Sequence, residues 1–322
     1  MRDEYKPPFT MTEEITNLVI EIGELAGRVT ANDVLQTNPK LRRINRIKTI
    51  YSSLAIEQNT LTLDQVSDVI NGKRILAPPQ DIHEVKNAYE AYERLSTMDP
   101  YLVTDLLKAH KFMMHGLISE AGRFRSKGVG VFAGEQLIHA GTLPQYVPEL
   151  IGQLFHWLKS SKLHPLIKSC IFHYEFEFIH PFSDGNGRTG RLWQSLILQK
   201  WQPFFAWLPV ETLIQEHQEE YYQTLNAANT DGESTIFVEF MLDIIKEALL
   251  EMSDVGINVG INVSDEEILQ ILAAEPKLTA AGLSQELGIS KRQMERRLAK
   301  LKNGGRLEHV GARKNGYWKV KG

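Results

Sequence analysis

A base, a carboxylate, a bend-prone backbone and two guanidiniums stand in one short stretch, His180-Pro181-Phe182-Ser183-Asp184-Gly185-Asn186-Gly187-Arg188-Thr189-Gly190-Arg191. Read as chemistry, this is a phosphate-handling site. An imidazole such as His180, with an ordinary pKa of about 6.5, is mostly neutral near pH 7 and can take a proton from an attacking hydroxyl. Asp184 offers a hard oxygen suited to Mg²⁺, which usually binds one or two carboxylates together with substrate phosphates. Gly185 and Gly187 let the chain bend so that successive N–H groups turn toward an anion. Arg188 and Arg191 follow where a helix should begin, which puts a positive dipole end and two forked donors on the same phosphates. Asn186 adds a side-chain amide donor.

The flanking pattern says what holds this loop. Ile167, Cys170, Ile171, Tyr174 and Phe178 recur at helical spacing before it, and Leu192, Leu196 and Ile197 after it, so the loop is slung between two core helices. Most of residues 1–250 reads as helix. Leu41, Ile44, Ile47, Tyr51, Leu54 and Ala55 form an apolar stripe ending near Asn59; further helices are expected over 81–96, 104–115, 147–159 and 211–226. Around Gly134, Val129, Val131 and Phe132 face Leu137 and Ile138 as two short strands. Beyond a repetitive, glycine-containing connector at 255–263, helices are expected over 265–274, 279–287 and 290–302. Gly288-Ile289 is the turn between the last two, and 306–320 reads as a hairpin around 312–316. That order resembles a winged helix-turn-helix.

At 322 residues, 43% hydrophobic and 24% charged, the chain has the length for two or more domains and an ordinary globular composition. No apolar run reaches about 18 residues, and the opening MRDEYKPPFT lacks a secretory layout, so a cytoplasmic protein with no membrane contact is expected. The one cysteine, Cys170, falls on an apolar helix face and reads as a small core hydrophobe. The net charge of −4 conceals an asymmetry. Residues 288–322 hold 11 Lys and Arg against 2 Asp and Glu, leaving 25 against 38 elsewhere, or +9 against −13. Such a tail suits a partner of its own.

The stretch from His180 to Arg191 resembles the signature of the Fic family, H-P-F-x-D/E-G-N-G-R-x-x-R, at every constrained position, and the likeness extends over roughly residues 10–250. It implies a mostly α-helical bundle with a short β-hairpin flap, transferring AMP from ATP to a hydroxyl side chain of a target protein. By the same likeness His180 is the general base and Asp184 the Mg²⁺ ligand. Gly185, Asn186, Gly187 and Arg188 hold the α- and β-phosphates, and Arg191 meets the γ-phosphate. Tyr222, Leu225 and Asn229 surround the nucleoside, and the flap near 129–138 receives an extended target segment by strand addition. Ser53-Leu54-Ala55-Ile56-Glu57-Gln58 is similar to the family's inhibitory motif, [S/T]-x-x-x-E-[G/N], in which Glu57 pairs with Arg191 and blocks the productive ATP pose. Ser53 and Glu57, four apart, share a helix face. Gln58 stands where Gly or Asn is usual, and Asn59 is expected to supply the helix cap one residue later.

The resulting organisation is an N-terminal helical region at 1–100, with the inhibitory helix near 41–59, a catalytic core at 101–250, a linker at 251–264 and a winged helix-turn-helix at 265–322. Lys291, Arg292, Arg296, Arg297 and Lys300 on the last helix, with Arg313 and Lys314 on the wing, suit either DNA phosphates or an acidic protein. A second function stays open beside AMP transfer: a transcription regulator whose helical domain senses nucleotide. Assembly into a homo-oligomer is also left open.

Overall fold

Two compact units divide the chain, Met1–Leu249 and Leu250–Gly322. In a computed structural model the described residues are 5–32, 38–128, 130–133, 136–140, 142–258, 265–287, 291–311 and 316–321. The first unit is helical, in the order α1 (Glu13–Asn32), α2 (Pro39–Ile56), α3 (Leu63–Ile70), α4 (Pro79–Glu93), α5 (Val103–Met114), α6 (Val147–Ser160), α7 (Pro165–Ile179), α8 (Asn186–Trp201), α9 (Val210–Glu216), α10 (Gln218–Asp231) and α11 (Thr235–Asn258). Between α5 and α6 lies one antiparallel hairpin, β1 (Gly130–Ala133) and β2 (Gln136–Ala140), pairing Gly130 with Ala140 and Ala133 with Gln136. The fold class expected from the sequence holds.

The two helices around the loop form the centre of the unit. α7 is buried along most of its length, Ile171, Phe172, His173 and Phe176 having no exposed surface, which is where a helix without a distinct polar face belongs. Leu192, Trp193 and Leu196 of α8 lie beside it in the same core. Cys170 is among these residues, and burial pushes its thiol up to about 12, so it serves as packing rather than as a nucleophile.

α2 forms where expected but buries another face. It starts at Asn38, whose Oδ1 accepts the Leu41 N–H at 3.0 Å, with Pro39 in the first turn. Ile44, placed in the apolar stripe, is 41% exposed, whereas Asn45, Arg46, Thr49, Ser52 and Ser53 are buried. The polar side chains find partners inside. Arg46 lies between the rings of Tyr92 and Trp207, at 5.1 and 4.7 Å, and Asn45 donates to the Trp207 carbonyl at 2.9 Å. Such stacking offsets part of the cost of taking a guanidinium out of water, and Glu93 lies 3.6 Å from its Nε, which makes no hydrogen bond.

Two other expectations shift. The single helix at 211–226 is α9 and α10, broken at His217, whose backbone leaves the helical region (φ −107, ψ 31) with its ring 3.6 Å from both Glu220 and Glu247. The linker expected at 251–264 is helical as far as Asn258, because α11 continues through it; 259–264 lie outside the described residues.

The second unit contains α12 (Asp265–Ala274), α13 (Ala280–Glu286), α14 (Lys291–Asn303) and the hairpin of β3 (Leu307–Val310) with β4 (Tyr317–Val320). Ile268, Leu272, Leu283, Met294 and Leu298 make its core, with Trp318 and Val320 of the hairpin packed against it. The Gly288-Ile289 turn and the wing tip with Arg313 and Lys314 lie outside the described residues. Among the described residues no helix is long and apolar enough to cross a membrane.

Candidate active site

α7 ends on His180, which takes a left-handed conformation (φ 51, ψ 63) while its N–H still donates to the Phe176 carbonyl at 3.0 Å. For a residue with a side chain this conformation costs about 1–2 kcal/mol, so its surroundings must impose it. Phe182 anchors the next step of the loop, fully buried and stacked flat on His110 with ring centroids 3.6 Å apart. Asn186 closes it, its carboxamide both accepting the Phe182 N–H and donating to the Phe182 carbonyl at 2.9 Å. The amide expected to reach phosphate is thus engaged in holding the loop.

His110, which the sequence reading missed, fixes the other end. Its Nδ1 accepts the Gly122 N–H at 2.9 Å, so its Nε2 carries the proton and donates to the Asp184 carbonyl at 3.0 Å. Burial lowers its pKa to about 4, against the pull of the Asp184 carbonyl, and the ring stays neutral. Gly185 follows in a left-handed conformation (φ 79), and a Cβ there would fall 2.6 Å from Met114 Sδ. Only glycine satisfies both demands. The Asp184 side chain is 55% exposed, with Oδ1 accepting from Gly185 N–H at 2.6 Å and Arg188 Nη2 at 3.1 Å.

The start of α8 is an anion site with an anion in it. A Cβ on Gly187 would overlap Oε1 of Glu57, so the glycine makes room for this carboxylate against the first helical turn. Arg191 Nη2 donates to Glu57 Oε1 at 2.8 Å and to the Ser53 carbonyl at 2.9 Å, and its Nε donates to Ser53 Oγ at 3.2 Å. The guanidinium is 1% exposed. Burial works against its charge, but the Glu57 carboxylate, which also accepts its hydrogen bond, outweighs that and holds it more firmly protonated than usual. Arg188 Nη1 lies 3.7 Å from Glu84, whose other oxygen accepts from Asn59 Nδ2 at 2.8 Å.

The cap of α2 departs from expectation in an instructive way. Gln58 itself adopts the left-handed conformation (φ 68), with Asn59 N–H donating to the Leu54 carbonyl at 3.1 Å and Gln58 N–H to that of Ala55 at 3.0 Å. This is a Schellman closure built on glutamine, and Asn59 does not take over the cap. Gln58→Gly should therefore raise stability by about 0.5–1 kcal/mol, relieving the left-handed penalty against glycine's larger entropy loss. A higher urea midpoint at unchanged slope would show it; an equal or lower midpoint would refute it.

A cleft of about 220 Å³ opens beside these groups, lined by Glu57, Glu177, Phe178, His180, Gly187, Arg191, Tyr221, Tyr222, Leu225, Asn226 and Asn229. His180, Arg191 and the three nucleoside residues expected from the sequence thus share one cavity. Asn229 Oδ1 accepts from Tyr174 Oη at 3.1 Å, which leaves its amide N–H groups as the donors it can offer. Glu177 was not anticipated. One of its oxygens is buried with no hydrogen-bond partner, and burial, against the pull of Arg191, raises its pKa to about 8, so the carboxyl is protonated near neutrality. Its seat depends on Gly190, where a Cβ would come within 2.7 Å of Oε1.

An imidazole, a buried guanidinium and a glycine-opened helix start thus line one cleft in an α-helical bundle. The Fic/DOC family model matches residues 97–198, and a winged helix-turn-helix DNA-binding model matches 261–308. A crystal structure of a Fic family protein from Desulfovibrio desulfuricans G20 is 45% identical, with a TM-score of 0.76 over 99% of both chains. The protein adenylyltransferase Fic of Nematostella vectensis is 31% identical over 204 residues, 60% of this chain and 45% of that protein. That of Drosophila virilis is 31% identical over 231 residues, 66% of this chain and 44% of that one. The chain thus spans less than half the length of these curated relatives. It belongs to the Fic family.

Proposed function

We propose that this chain is an autoinhibited protein adenylyltransferase, moving AMP from ATP to a Ser, Thr or Tyr hydroxyl of a target protein. The observation that carries the reading is the Glu57 carboxylate at the start of α8, paired with Arg191 where a nucleotide's terminal phosphate would otherwise bind. The target hydroxyl attacks the α-phosphorus in line, the bond to the bridging oxygen breaks, and pyrophosphate leaves with that electron pair. His180 takes the hydroxyl proton. The first-turn N–H groups of α8 and Arg188 orient the phosphates, and the wall of Tyr222, Leu225 and Asn229 holds the nucleoside. Catalysis on this plan is positioning and charge neutralisation.

Mg²⁺ fits this site. Asp184 presents one half-exposed carboxylate at the mouth of the phosphate site, and a magnesium ion commonly takes one such ligand and completes its shell with phosphate oxygens and water. When bound, the ion would neutralise phosphate charge. The target would pair with the β1–β2 hairpin by strand addition. Removal of AMP from the modified target, supported by the same Glu57, belongs to the proposal as a second activity. Mass spectrometry of the protein incubated with labelled ATP, with and without cell lysate, tests the reading. A mass increment of AMP on the chain or on a lysate protein supports it; recovery of unmodified protein from the Glu57→Gly variant as well would refute it.

A second reading, nucleotide-sensing regulation of transcription, draws on the winged helix-turn-helix match. Part of the basic face is already neutralised. Arg297 and Lys300 lie 3.9 and 3.8 Å from Asp265, and Arg306 Nη2 is 2.9 Å from Glu266. If this face binds DNA through even three phosphates, retention of the full chain on duplex DNA should fall on the order of 10-fold or more between 50 and 200 mM salt. Salt-independent retention would leave an acidic protein as the better partner.

A further inference from the structure

Arg125 sits at the junction of the loop and the hairpin. It is 2% exposed, and its guanidinium donates to four main-chain carbonyls. Nε donates to the His180 carbonyl at 2.7 Å and Nη2 to that of Ile179 at 3.4 Å, while the Arg125 main-chain N–H donates to the Pro181 carbonyl at 3.0 Å. The rest of the guanidinium faces the other way. Nη1 donates to the Lys127 carbonyl at 3.0 Å and Nη2 also to that of Thr142. Lys127 and Thr142 are the two roots of the β1–β2 hairpin. The carbonyls it holds at 179 and 180 are also the C-terminal end of α7, where the helix dipole favours a cation.

We propose that Arg125 is a positioning residue for the transfer reaction: it imposes the left-handed backbone of His180 and ties that backbone to both roots of the hairpin that receives the target. Three consecutive carbonyls, 179 to 181, are captured by one residue, and this is the constraint that the conformation of His180 requires. The same planar fork sets the hairpin's distance from His180. A target strand paired with the hairpin is thereby registered to the base. Lysine could supply the charge but not the fork, because a single ammonium cannot point at carbonyls on opposite sides.

The inference rests on the proposed transfer, and the test separates the two. In the Glu57→Gly protein, Arg125→Lys and Arg125→Ala should each lower kcat about 10²-fold, the scale of a misplaced reacting group, with ATP affinity held within about threefold. Guanidinium ion should restore Arg125→Ala in part, and increasingly with its concentration, as it fills the vacated site. An unchanged kcat, or kcat and ATP affinity falling by the same factor, overturns the proposal. If Arg125→Ala does not fold, Arg125→Lys decides by the same criteria. If the Glu57→Gly parent transfers no AMP, the proposed function fails and Arg125 is judged separately. The ring resonances of His180, assigned by their loss in His180→Ala, should then shift in Arg125→Lys, and identical spectra overturn the role.

Discussion

Glu57→Gly should raise AMP transfer, read first as self-labelling, on the order of 10²-fold at saturating ATP and Mg²⁺. Holding the competent state near one per cent takes about 2.7 kcal/mol, since each tenfold is worth about 1.4 kcal/mol. Removing one partner of a buried carboxylate and guanidinium pair costs about 3–5 kcal/mol. The pair of Arg191, 1% exposed, with Glu57, 29% exposed, lies at the lower end of that range because the carboxylate keeps some solvent. One ion pair is therefore enough. The same change leaves a buried cation uncompensated, so the free variant should melt lower than the wild type and gain more from ATP, whose phosphates replace the lost charge. Equal activity and equal ATP-induced stabilisation in the two proteins would reduce Glu57 to a structural residue. Arg191→Ala should not mimic the activation, because it removes the proposed phosphate contact together with the latch.

Most of this site was legible because its chemistry depends on residue types in fixed order. His180, the glycines and the arginines announce an anion site at a helix start whatever surrounds them, and Tyr222, Leu225 and Asn229 do line the same cleft. Periodicity failed where polarity is buried. The stripe through Ile44 and Ile47 misses much of the buried face of α2, because Asn45 and Ser53 are partnered by a carbonyl and Arg191, and Arg46 lies against two rings, that only the fold brings near. His110 and Arg125 were invisible for a related reason. Their partners are main-chain carbonyls and N–H groups, which leave no trace in side-chain pattern. Glu177 could have been suspected from its place one helical turn before His180 in a largely buried helix, and its unpartnered oxygen marks it as a group the pattern cannot explain. Gln58 shows the converse error. A residue judged ill-suited to a left-handed cap adopts it, because two backbone hydrogen bonds and the packing of α2 outweigh about 1 kcal/mol of local strain.

Replacing His180 should abolish transfer and spare nucleotide binding. On the proposed mechanism the imidazole acts on the incoming hydroxyl, so its contribution appears as the proton moves and not in the ground state. A positioned general base is worth about 10²–10⁴-fold, and His180→Ala in the Glu57→Gly protein should lose at least about 10³-fold in kcat with ATP affinity within about twofold. Alanine alone leaves an ambiguity, because position 180 is left-handed and a new backbone conformation there would displace the loop. His180→Asn resolves it. Asparagine tolerates the left-handed region better than most residues yet offers no base near neutral pH, so it keeps the backbone and removes only the proton acceptor. Equal loss in the two variants assigns the effect to the imidazole. Substantial activity in His180→Asn alone would mean that the loop's shape, and not a base at this position, carries the reaction.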